Sequence, residues 1–123
     1  PEGSLTRDPD MWPMRGKTGA VRLALAGDIP VIPVAMWGVE RILPRYGKLS
    51  FWPPRKRVQV RLGPATDLSP FRRPSGGAAL IAATDAVMAD ISDLLGELRG
   101  EHPPAERWNP AAHGQNETGR LEP

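Results

Sequence analysis

The residues best equipped for chemistry are Pro1-Glu2-Gly3-Ser4-Leu5-Thr6-Arg7. They place a carboxylate, a glycine, two hydroxyls and a guanidinium in one short stretch. Glycine lets a backbone approach a ligand closely or adopt positive φ. Arginine offers a planar fork of donors that fits phosphate. The stretch therefore reads as a phosphate-recognition turn. The plainer reading is a frayed, charged terminus, because patterns this short recur by accident. Lys17, in Gly16-Lys17-Thr18, stands where a helix begins. There it either helps free backbone N–H groups bind an anion or is an ordinary solvated lysine. A P-loop is excluded, since Met11 occupies the required glycine position and Trp12-Pro13 replaces the upstream strand. Asp8 and Asp10 resemble a catalytic carboxylate pair, but Asp before Pro favours a turn.

Other chemistries are absent from the sequence. With no cysteine there is no disulfide, thiolate site or cysteine nucleophile. His102 and His113 lack the spacing of a zinc site. No metal or cofactor is implied. No apolar run approaches the ~18–20 residues that span a bilayer, and no signal peptide is visible. The first residue is proline, which fits a fragment or a processed product; a fragment is the expectation.

The positioning elements follow from periodicity. The 123 residues suggest one small domain or part of one. Residues 8–13 read as a proline-broken loop, with Trp12 and Met14 packing it onto the core. A short helix is expected over residues 18–25, with Val21, Ala24 and Leu25 on one face and Gly27 ending it. Residues 29–37 form an apolar run that fits a strand buried on both faces. Pro33 confines that strand to an edge, a bulge or a strand start. Residues 57–63 alternate, so Val58, Val60 and Leu62 should face the core, with Arg57, Gln59 and Arg61 outward. The longest helix spans about residues 75–99. Its stripe is Leu80, Thr84, Val87, Met88, Ile91, Leu94, Leu95 and Leu98, Ser75 caps it and Gly100 follows it. From Glu101 the polar, proline-rich chain is expected to be disordered. Asn116-Glu117-Thr118 matches a glycosylation acceptor by chance, as nothing indicates secretion.

Residues 41–61 hold Arg41, Arg45, Lys48, Arg55, Lys56, Arg57 and Arg61 and no acidic residue, interleaved with Tyr46, Phe51 and Trp52. Three readings stand: an anionic membrane surface, a solvated face, and nucleic acid.

Pro1-Glu2-Gly3, a hydroxyl residue and a nearby arginine resemble the third conserved block of the 1-acylglycerol-3-phosphate acyltransferases. Met14-Arg15-Gly16-Lys17-Thr18-Gly19-Ala20 is similar to the segment that follows that block. Val31-Ile32-Pro33-Val34-Ala35 is similar to the fourth block. Order and spacing agree over roughly residues 1–70. The resemblance implies an α/β fold, with residues 1–100 the C-terminal part of a glycerolipid acyltransferase domain. That part would have a short mixed sheet with packing helices, and residues 101–123 a disordered tail. It implies transfer of a fatty acyl group from acyl-CoA or acyl-carrier protein to lysophosphatidic acid, giving phosphatidic acid. Glu2, Gly3, Ser4 and Arg7 would line the acceptor site, Arg7 on the phosphate, with Lys17 beside them. In this family arginine often follows the hydroxyl residue directly, whereas Leu5-Thr6 intervene here. The family's general base is a histidine with an aspartate five positions later. This sequence lacks that motif, so no catalytic residue is assigned and the fragment is expected to be inactive alone. The expected location is peripheral, on the cytoplasmic face of a membrane with an anionic surface, without nucleic acid. The alternative is a non-catalytic basic module binding membrane or nucleic acid through residues 41–61.

Overall fold

The computed structural model describes residues 2–45, 47–72 and 76–116. It contains two helices and a two-stranded antiparallel sheet, with short 3-10 turns between them. The expected α/β class holds in this coarse form. The sheet is antiparallel rather than mixed among the described residues.

Helix α1, Gly19–Gly27, buries Val21 and Ala24, with Leu25 partly buried beside them. Gly27 stays helical, contrary to expectation, and Asp28 takes the left-handed cap at φ 52°. Asp tolerates that conformation because its short polar side chain bonds locally. Helix α2, Gly77–Arg99, buries much of the expected stripe, including Thr84, Val87, Met88, Leu94 and Leu95. Gly100 closes it in the left-handed conformation. The expected cap, Ser75, lies outside the described residues, and Gly76 stands at the N-cap position.

One core cluster joins the helices through Val21, Ala24, Leu68, Ala83 and Val87. A second joins Trp12 and Ala35 to Leu94 and Leu95 of α2. Trp12 and Met14 thus anchor the proline-rich loop, as their apolar side chains predicted. Asp8 serves the turn: its carboxylate accepts the Asp10 N–H at 2.7 Å and its carbonyl accepts the Met11 N–H at 3.1 Å.

Strand β1, Val34–Trp37, pairs with β2, Gln59–Leu62. Pro33 sits just before β1, where its carbonyl accepts the Gly63 N–H at 3.0 Å and its missing donor is not needed. The expected burial of both strands is corrected. The register opposes Val34 to Leu62 and Met36 to Val60, which puts these four on one face. That face is exposed, Met36 by 60% and Leu62 by 67%, with Val58 and Ile32 exposed nearby. α2 packs on the other face, against Ala35 and Trp37. There Arg61, expected to point to solvent, pairs with Glu97 of α2 at 2.7 Å. One helix can cover only one face of a two-stranded sheet.

The expected disorder from Glu101 is corrected for residues 101–116. Arg107 bonds the Asp85 carboxylate and carbonyl at 2.8 Å. Trp108 stacks on His113 at 3.7 Å, and Pro110 is buried. Arg107 ties the segment to α2, and the Trp108–His113 stack orders it internally. Residues 117–123, and with them most of the acceptor-like Asn116-Glu117-Thr118, lie outside the described residues.

Candidate functional site

Residues 2–8 run beside residues 12–14 and are stitched to them by unlike bonds. The Glu2 carboxylate accepts the Met14 N–H at 2.9 Å. Thr6 Oγ1 donates to the Trp12 carbonyl at 2.6 Å and accepts from the Asp8 N–H at 3.3 Å. The Arg7 N–H donates to Met14 Sδ at 3.0 Å. Arg45 crosses from the basic segment and donates to the carbonyls of Thr6 and Asp8, at 2.6 and 2.9 Å. The stretch is therefore a fixed turn and not a frayed end.

Gly3 has φ 74°, where an L side chain is strained. A Cβ there would lie 3.7 Å from Lys17 Cδ and 3.9 Å from its Nζ. Lys17 thus lies across the turn. Glu2, Arg15 and Lys17 also line a small niche with Met14 and Pro110. Burial pushes the Glu2 carboxyl above its ordinary value of 4.5; the Met14 hydrogen bond opposes this and the charge of Asp8 adds to it.

A larger cleft of about 610 Å³ shares Glu2 with this niche. Glu2, Ser4, Thr6, Glu40 and Arg45 are its polar lining residues. Trp12, Met36, Trp37, Val39, Leu43 and Leu95 give it an apolar body. Such a cleft suits a ligand with a hydrocarbon part and a polar head.

The structure brings Glu2, Gly3, Ser4 and Lys17 together. Arg7 belongs to the same turn but is only 3% exposed, so it lies beneath the surface that Glu2 and Ser4 present. Arg15, which lines the niche, and Arg45, which lines the cleft, were not singled out as site candidates from the sequence. Arg45 was one of seven cations in a basic run, and Arg15 one charge beside a loop; neither carried a local signal. No group of three or more His, Asp or Glu residues that could hold a metal occurs among the described residues. Neither histidine lines the cleft. No described helix is long and apolar enough to cross a membrane. Comparison with family models, with curated protein sequences and with solved structures yields no match.

Proposed function

We propose that this chain carries the acceptor part of a glycerolipid acyltransferase site, acting on 1-acylglycerol-3-phosphate. The observation that carries this reading is the amphipathic cleft with Glu2 and Ser4 at its polar side. Its apolar body takes the acyl chain of the acceptor. The phosphate sits at the turn, within reach of Lys17 and Arg15, which line the niche beside Glu2. Arg7, buried below, supports the turn or reaches the phosphate after local opening.

The reaction is ester formation. The acceptor hydroxyl attacks the thioester carbonyl of acyl-CoA or acyl-carrier protein, forming a C–O bond. The C–S bond breaks, the thiol leaves and a base takes the hydroxyl proton. The sequence has no histidine followed five positions later by aspartate: Arg107 follows His102 and Thr118 follows His113. The base then comes from outside these 123 residues, and the chain alone binds acceptor without turnover. We place the protein peripherally, on the cytoplasmic face of the membrane that holds its substrate.

Lysophosphatidate with a brominated acyl chain tests the cleft. It should quench tryptophan fluorescence, and Leu43→Trp, which narrows the cleft, should weaken binding. Binding unchanged by Leu43→Trp would move the acceptor elsewhere. Acyl transfer by the chain alone, lost in His102→Ala/His113→Ala, would contradict the assignment of the base.

A further inference from the structure

The basic segment after β1 is not uniformly available. Arg45 is bonded to Thr6 and Asp8. Arg61 pairs with Glu97, and Arg41 with Glu40 at 3.7 Å. Lys56 turns inward: its Nζ donates to the carbonyls of Arg41 and Ser50 and to the Ser50 hydroxyl. The Ser50 N–H donates to the Ile42 carbonyl at 2.8 Å. These bonds fix Ser50 and Lys56, on either side of residues 51–55, to residues 41–42. Lys48, Arg55 and Arg57 are exposed and make no ion pair or hydrogen bond with described side chains. The loop of residues 48–57 also exposes Phe51 by 74% and Trp52 by 82%, with Leu49 exposed beside them.

We infer that residues 48–57 dock this protein onto an anionic bilayer. Phe51, Trp52 and Leu49 enter the headgroup boundary, and Lys48, Arg55 and Arg57 meet lipid phosphates. Charge complementarity names the partner, since the loop carries three available cations and no carboxylate. Trp and Phe beside such cations suit the water–lipid interface. Leu49 separates this surface from one for nucleic acid: a bilayer accommodates it, whereas base stacking has no use for an aliphatic side chain. The inference deepens the lipid reading above and rests on it for the identity of the surface.

The test is sedimentation of the 123-residue chain with phosphatidylcholine vesicles, with and without added phosphatidylglycerol. The chain should bind the anionic vesicles and release them in salt. Each cation contributes about fivefold, so Arg55→Gln/Arg57→Gln should weaken binding roughly thirtyfold. Phe51→Ala/Trp52→Ala should weaken it at least ~tenfold. Arg22→Gln/Arg72→Gln, the same charge change elsewhere, should do little. Equal binding to both vesicle types, or equal losses in the loop and control pairs, would overturn the inference. So would tighter binding to a single-stranded oligonucleotide than to anionic vesicles. Because no acceptor is present, vesicle binding and acceptor binding can fail separately. Vesicle binding with no lysophosphatidate binding sinks the acceptor site and leaves the loop.

Discussion

The carboxylate of Glu2 accepts the backbone N–H of Met14 at 2.9 Å. This bond closes the turn that carries Gly3 and Ser4 onto the segment that carries Arg15 and Lys17. It also gives the turn a pH dependence. Burial holds the folded carboxyl above 4.5, so the folded chain retains a proton that the unfolded chain has released. The contribution of Glu2 to stability is then most favourable below its unfolded value and declines as pH rises through the folded value. Glu2→Gln does not titrate. Relative to the parent, the variant should gain stability in chemical denaturation as pH rises above the ordinary carboxyl value of 4.5. A constant difference, or a relative loss, would show that burial does not raise the Glu2 carboxyl.

Arg99 is expected to be a large single contributor to stability. Its guanidinium lies 4.3 Å from the Trp12 ring centroid and 4.6 Å from that of Trp37. It also donates to the Asp10 carbonyl at 2.7 Å and pairs with Glu101 at 2.6 Å. Arg99→Ala removes two cation–π contacts and a charge-assisted bond, so urea unfolding should register a loss of about 2–4 kcal/mol. Arg99→Lys should fall between, because an ammonium keeps the charge without the planar fork. A loss below about 0.5 kcal/mol would mean that the stacked geometry does not contribute.

Gly38 links β1 to the basic loop. Its φ is 99°, and a Cβ there would lie 2.3 Å from the Arg57 carbonyl oxygen. Gly38→Ala should therefore cost about 2 kcal/mol or more. It should also loosen residues 48–57, so vesicle binding should fall with stability. An alanine variant as stable as the parent would show that the loop is not anchored there.

The exposed sheet face gives a further prediction. Val34, Met36, Val60 and Leu62 form an apolar surface on one side of the two strands. Such a surface promotes association. Met36→Thr/Val60→Thr should reduce dye binding and concentration-dependent association, with little change in unfolding midpoint. Unchanged association would place the contact elsewhere.

The long helix was legible because a three- and four-residue stripe over twenty-three positions has few other solutions. Pro33 was legible only as an edge, a bulge or a strand start, because a missing donor has few places in a sheet, and the structure takes the last of these. The facing of β2 was not. Alternation shows that Val60 and Arg61 point oppositely, but not which face a helix covers. Arg61 reached Glu97, which no local pattern encodes. Composition misjudged residues 101–116 for the same reason, as Arg107 to Asp85 is a long-range contact. Within the candidate site, Glu2, Ser4 and Lys17 were legible as a group, whereas Arg15 and Arg45 were not. The burial of Arg7 depended on Met14 and on the fold around it.

Calorimetric titration of the chain with lysophosphatidate, beside the matching monoacylglycerol without phosphate, tests the central claim most directly. Lysophosphatidate should bind and monoacylglycerol should bind at least ~tenfold more weakly, since a charge-assisted contact is worth about 1.5–3 kcal/mol. Lys17→Gln should remove most of that difference while leaving the weaker, acyl-chain binding in place. Equal affinity for the two lipids, or a preference for phosphate that Lys17→Gln leaves intact, would contradict the acceptor site at the Glu2–Ser4 turn.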